Sequence, residues 1–196
     1  KTVAEKGHVC VGLDTDIAYI PESFKAKYEN IGDAIFEFNK AIIDATVDVA
    51  ACFKPQIAYY ETYGIDGLRA YARTMQYLKE KGALSIGDIK RGDISRTAEM
   101  YAKAHFAGEF EADFITLSPY MGLDSIEPYL PYLKSNEKGV FVLIRTSNKG
   151  SKDIQYVETA GDRRVYNVVG ELINNLGKEY MGECGYSSVG GVIGCT

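Results

Sequence analysis

Nothing in this sequence approaches the ~20 consecutive apolar residues that a membrane-spanning helix needs, so no helical span and no membrane partner are expected. A basic block is missing too. Lys and Arg number 22 against 27 Asp and Glu, a net charge of −5, and no cluster of cations surrounds aromatic residues. Nucleic acid is therefore not an expected partner, because binding a phosphate backbone takes concentrated positive charge. A phosphorylated metabolite stays open, since a few local cations or backbone amides can hold one. Histidine is scarce, with only His8 and His105, and the four cysteines, Cys10, Cys52, Cys184 and Cys195, form no CxxC or Cys/His ligand spacing. No metal site is expected from them. Cys10, Cys52 and Cys195 lie in apolar, strand-like runs and read as buried free thiols, which points to a reduced, cytoplasmic protein. Residues 1–6 are polar and carry no signal-peptide apolar region. No Pro/Gly/Ser linker, low-complexity tract or repeat interrupts the chain, so one domain over residues 1–196 is expected.

What is present is a core's worth of apolar residues, 46% of 196, in short runs that alternate with helical periods. Strands are predicted at 9–14, 51–59, 83–88, 114–118, 140–146 and 189–195. Helices are predicted at 31–49, along Ile65, Leu68, Ala72, Met75 and Leu78 up to Gly82, at 95–106 and around 164–176. Pro55 cannot donate to a ladder, so hydrogen bonding should loosen there. The strand runs are apolar throughout, as strands covered on both faces are. Gly12 stands alone after the first strand with no GxGxxG, which removes the dinucleotide-binding fold. Polar residues recur instead at the C-terminal strand ends: Asp14, Lys54, Asp88 with Lys90, and Ser147. Groups from several strand ends converging on one face is the pattern of an α/β TIM (β/α)8 barrel, of which about six βα units are readable.

The segment GDIKRGDI, residues 87–94, carries the chemistry. Strand alternation would put Asp88 and Lys90 on one side, and Asp93 can bend back across Gly92. Lys54 would add a second ammonium. Such an alternating array is costly to desolvate unless each ion meets well-placed opposite neighbours, and it follows an apolar strand directly. Other polar candidates have plainer uses available: Asp14 as a cap, Ser147 and Thr97 in turns or helix starts. His8 and His105 have no apparent partners and read as surface or structural residues.

DIKRGD resembles the DxKxxD signature of the orotidylate decarboxylase superfamily. VGLDTD (11–16), FKPQIAYYE (53–61), DIKRGDISRTA (88–98), SPYMGLDSIEPYL (118–130) and LIRTSNKGS (143–151) resemble, in order, its longer bacterial orotidine 5'-monophosphate decarboxylase branch. The resemblance implies decarboxylation of orotidylate to UMP with no cofactor and no metal, in a homodimer with shared sites. It implies Lys90 as proton donor to C6 of the pyrimidine, Asp88 beside the departing carboxylate, and Lys54 and Asp93 completing the array, Asp93 from across the dimer. It further implies Asp14 and, from the partner subunit, Thr97 on the ribose hydroxyls, and Ser147 on the pyrimidine. The readings to be weighed against it are a Mg-dependent sugar-phosphate decarboxylase or aldolase of the same superfamily and a non-catalytic nucleotide-binding barrel. A complete barrel takes about 250 residues, and the family's glycine-rich phosphate-binding segment has no counterpart here. The natural protein is expected to continue beyond Thr196.

Overall fold

The computed structural model describes residues 2–135 and 137–195. Lys1, Asn136 and Thr196 lie outside the described residues. The elements run α1 (Thr2–Lys6), β1 (Cys10–Leu13), α2 (Glu22–Lys25), α3 (Ile31–Thr46), β2 (Cys52–Pro55), α4 (Ile57–Glu61), α5 (Gly64–Glu80), β3 (Leu84–Arg91), α6 (Ser95–Phe106) and β4 (Phe114–Leu117). After 3₁₀ turns at Leu123–Ser125 and Glu127–Leu133 follow β5 (Gly139–Arg145), α7 (Ser151–Ile154), β6 (Glu158–Thr159), β7 (Arg163–Arg164), α8 (Val165–Lys178) and β8 (Val189–Ile193). The chain divides into two compact units, residues 1–89 with 103–113, and residues 90–102 with 114–196.

In the first unit β1, β2 and β3 pair in parallel, Cys10 opposite Cys52 and Cys52 opposite Leu84. Helix α3 starts where Asn30 accepts from the Gly32 amide at 2.7 Å, satisfying one of the amides a helix start leaves open. It turns Ala34, Ile35, Asn39 and Ile43 inward. The facing α5 buries Gly67, Ala70, Tyr71, Thr74, Met75 and Leu78, the three-and-four spacing of one helical stripe. At Gly67 an added Cβ would lie 1.9 Å from the Tyr60 carbonyl oxygen, so only glycine lets α4 and α5 meet backbone to backbone.

A buried polar knot crosses this layer. Thr15 donates to Asn39 Oδ1 at 2.5 Å. The Asn39 amide nitrogen donates to Tyr60 Oη at 2.9 Å and Thr74 Oγ1 at 3.1 Å. Tyr60 in turn donates to the Leu13 carbonyl at 3.0 Å. Burial makes such bonds close to obligatory, because an orphaned polar group there has no water to turn to. The same burial pushes the Tyr60 phenol well above its ordinary pKa.

In the second unit β4, β5 and β8 pair in parallel, Phe114 opposite Gly139 and Val140 opposite Val189. Helix α8 packs on this sheet through Ile173 and Gly177. Ile115, Leu117, Val140 and Val142 are fully or almost fully buried, as parallel strands covered by helices require. Six parallel strands, three centred in each unit, stand at the six predicted places.

The second strand and the cysteines depart from expectation. The second strand does not run 51–59: it ends at Pro55, and Gln56 accepts from the Ala58 amide to begin α4. Proline supplies no ladder N–H and the next side chain caps a helix, so the apolar run is split between two elements. The cysteines are free, but Cys10 and Cys195 are exposed and Cys52 is half-buried. Cys10 opens β1 and Cys195 follows β8, and cover from neighbouring layers is lost at strand ends even where the local sequence is apolar. His105 is buried beside the Phe110 ring and His8 is exposed, as expected.

Candidate active site

Strand register assembles the first unit's share of the site. β1 and β2 pair Gly12 with Lys54 and Leu13 with Pro55. β2 and β3 pair Phe53 with Ser85, and the same offset continues to a parallel bridge between Gln56 and Asp88. One step past Leu13 and Pro55, Asp14 therefore stands level with Gln56, and Gln56 with Asp88. The C-terminal strand ends carry a row of carboxylate, amide and carboxylate. Lys54 lies one row earlier on the same face, because side chains two residues apart share a face, and Gly12 leaves the space beside it open.

The Lys54 ammonium rises into that row. It lies 3.1 Å from Asp88 Oδ2 and 3.5 Å from Asp14 Oδ1. Gln56 Nε2 reaches the same Asp88 oxygen at 2.9 Å. The Asp88 side chain is only 9% exposed, against 31% for Lys54 and 43% for Asp14. Burial draws the Lys54 pKa down, but Asp88 first and then Asp14 more than offset this and hold it above the ordinary lysine value. Lys54 is thus a fixed cation. Next to it, the Cys10 thiol is drawn down to about 7, mainly by a hydrogen bond from Cys52, against burial, with the Lys54 charge assisting. The Cys52 thiol is pushed up in turn, as the donor to its neighbour.

The second unit holds Lys90, Asp93, Thr97 and Ser147. Lys90 has φ +47°, a left-handed backbone that non-glycine residues rarely adopt. Strand alternation therefore stops short of it, and the alternation argument does not set its direction. The conformation is clamped from β4 and just beyond: the Lys90 amide donates to Thr116 Oγ1 at 3.0 Å, and Ser118 N donates to the Arg91 carbonyl at 2.8 Å. Gly92 then passes so close to Ser118 that an added Cβ would sit 3.1 Å from the serine's own. Asp93 is half-buried and accepts from the Ile94 amide at 2.8 Å; Thr97 is exposed in the first turn of α6.

Ser147 is exposed two residues past β5. Its strand end is held by Gln155, which accepts from the Thr146 amide and donates to Thr146 Oγ1, both at 2.8 Å. Gly194 packs on it so tightly that a Cβ there would meet Ser147 N at 2.8 Å.

The structure thus joins Asp14, Lys54 and Asp88 in one contact set. Sequence reasoning missed Gln56 and Gln155. Gln56 was findable, since a residue two beyond Lys54 on the same strand line shares its face; Gln155 caps the C-terminus of α7, a single turn too short to carry a periodic signal. Among the described residues, no group of three or more His, Cys, Asp or Glu is placed to hold a metal ion. A groove of about 620 Å³ in the first unit, lined by Asp33, Asp66, Arg69, Arg73 and Phe110, contains none of the site residues. Within it Arg73 pairs with Asp33 and Arg69 with Asp66.

Residues 7–194 match the family described as orotidine 5'-phosphate decarboxylase / HUMPS. The chain is 66% identical over 196 residues to the orotidine 5'-phosphate decarboxylase of Clostridium kluyveri, covering 100% of this chain and 67% of that protein. It is 64% identical over 194 residues to that of Clostridium novyi, covering 99% and 68%. Leishmania donovani OMP decarboxylase superposes with a TM-score of 0.72 at 37% identity, over 87% of this chain and 61% of that one. A Streptomyces avermitilis structure superposes over 100% of this chain and 67% of its own, with a TM-score of 0.85 at 29% identity. The chain spans about two thirds of the length of its curated relatives. Its fold class is the α/β barrel of these neighbours.

Proposed function

We propose a function from one premise: this chain belongs to the orotidine 5'-phosphate decarboxylase / HUMPS family. On our reading it takes orotidine 5'-phosphate and releases CO2 to leave UMP, a lyase step of pyrimidine biosynthesis, with no metal or organic cofactor. The observation that carries this is the Asp14–Lys54–Asp88 array at the strand ends, a fixed cation between two carboxylates, one of them nearly buried.

In the proposed reaction the bond between C6 and the carboxylate carbon breaks, and its electron pair stays on C6. No π-system spreads that charge, so a pre-placed ammonium stabilises it better than reorganising water would. Lys90 serves as this ammonium and passes its proton to C6, then regains one from solvent. Asp88 stands beside the departing carboxylate, and Lys54 holds Asp88 ionised and in place. Asp93 completes the array from the partner subunit of a homodimer. Asp14 and the partner subunit's Thr97 bind the ribose hydroxyls and Ser147 the pyrimidine, in the cytoplasm. Binding energy from the phosphoribosyl group, remote from the bond that breaks, drives closure around the base.

The test is loss of orotidylate ultraviolet absorbance on mixing with the protein, with and without EDTA. Turnover unchanged by EDTA supports the reading. Loss of activity with EDTA, or turnover of a sugar phosphate instead, points to the Mg-dependent branch of the family. Binding of orotidylate without turnover leaves the non-catalytic reading.

A further inference from the structure

Gln56 has no role in the function proposed above, yet it occupies the centre of the row between Asp14 and Asp88. Its amide is oriented by the fold. Oε1 accepts from the Ala58 amide at 3.3 Å as the cap of α4, so Nε2 is the end that faces Asp88, 2.9 Å from Oδ2. The reverse orientation would set a carbonyl oxygen against a carboxylate oxygen and leave the helix start without its acceptor. Lys54 meets the same Asp88 oxygen at 3.1 Å. An ammonium on a four-carbon stem is a mobile point charge with rotatable donors, and cannot by itself fix the plane of a carboxylate. A second donor arriving from the neighbouring strand end can.

We propose that Gln56 is a positioning residue for decarboxylation: it fixes the Asp88 carboxylate against Lys54 through a neutral donor. Neutrality matters at this place. A further cation between Asp14 and Asp88 would neutralise the carboxylate that stands beside the leaving group, and an acid would put three carboxylates in a row. Only a neutral donor holds Asp88 while leaving its charge in force. The inference rests on the decarboxylase reading for its consequence and on the register and hydrogen bonds for its geometry.

Gln56→Glu is the informative variant. It is nearly isosteric, keeps an oxygen to accept from Ala58, and loses the donor to Asp88, so it separates positioning from helix capping. The expected result is a melting temperature close to that of the parent, with kcat for orotidylate down by about 10- to 100-fold, the range for losing a group that orients an active-site ligand. KM should stay within about threefold of the parent, because Gln56 is assigned no substrate contact. Gln56→Leu, which also loses the cap, should show the same fall in kcat together with a lower melting temperature.

A readout independent of turnover is carbon-13 NMR of aspartate-labelled protein, with the Asp88 signal assigned from Asp88→Asn. Within the first unit, Lys54 faces Asp88 directly and Asp14 lies beyond it. With both unchanged, Asp88 should titrate at higher pH in Gln56→Leu, since a donor to its ionised form is gone and no charge is added; in Gln56→Glu the new carboxylate raises it further. A kcat of Gln56→Glu within twofold of an active parent, or an Asp88 titration unmoved in Gln56→Leu, overturns the proposal. A parent that fails to turn over orotidylate defeats the decarboxylase reading instead, and the Asp88 signal alone then decides whether Gln56 positions it.

Discussion

Replacing Tyr60 by phenylalanine deletes one oxygen from a side chain with no solvent exposure. That oxygen makes two bonds in the buried knot, donating to the Leu13 carbonyl at 3.0 Å and accepting from Asn39 at 2.9 Å. Each buried bond contributes roughly 1 kcal/mol net, and an acceptor left unsatisfied costs roughly 1–3 kcal/mol. Asn39 keeps its bond to Thr74, so the loss falls mainly on the Leu13 carbonyl. About 2 kcal/mol is expected, or a fall in melting temperature of about 4–8 °C for a protein of this size. A urea titration followed by far-ultraviolet circular dichroism should show a lower midpoint at unchanged slope. The partner test is Asn39→Leu, alone and in the Tyr60→Phe background. Alone it also strands the Thr15 hydroxyl; in the double variant its added cost should shrink by about 0.5 kcal/mol or more, because the two residues share a bond. A loss below about 0.5 kcal/mol for Tyr60→Phe, or strict additivity of the pair, would refute the claim that this knot is an integral part of the layer's stability.

Gly67→Ala should destabilise by about 3 kcal/mol, read from the same titration, because its Cβ would sit 1.9 Å from a backbone oxygen that cannot turn aside. Iodoacetamide should modify Cys10 with a half-maximal rate at about pH 7, and Cys52→Ala should move that midpoint upward; a profile centred near that of an ordinary thiol contradicts the assignment. Lys90→Ala should abolish decarboxylation with the circular dichroism spectrum preserved, and near-normal turnover would end the mechanism proposed here. Mixing inactive Lys90→Ala and Asp93→Ala subunits should restore part of the activity, since one site of the mixed dimer carries neither defect; no rescue despite demonstrated subunit exchange counts against shared sites.

Much of the fold was legible because burial writes a period into the sequence. The stripe read through Ile65, Leu68, Ala72, Met75 and Leu78 located α5, although Ile65 is exposed and the buried face runs through Gly67, Ala70, Tyr71, Thr74, Met75 and Leu78. The strand read at 114–118 became β4, one residue shorter. The third strand was drawn too short, ending at Asp88, because Lys90 and Arg91 are charged; the observed strand runs on through Arg91. Local polarity cannot show that backbone bonds from a neighbouring segment carry a strand past its apolar part. The short hairpin Glu158–Thr159 with Arg163–Arg164 was missed for a related reason, since two-residue strands hold no period. In the site, residue identity pointed to Asp14, Lys54 and Asp88, and the structure joins them. Register, which no single strand contains, is what places Gln56 beside Asp88.

The backbone at Lys90 bears on any attempt to improve this protein in the laboratory. Glycine and, less readily, asparagine adopt a φ near +47° with little penalty, whereas a lysine held there costs roughly 1–3 kcal/mol. A gene library selected for heat resistance alone should therefore enrich glycine at position 90, and each such winner would have discarded the proton donor proposed above. Consensus or thermostability design on this chain should hold residue 90 constant and seek its gains on surfaces remote from both ends of β3.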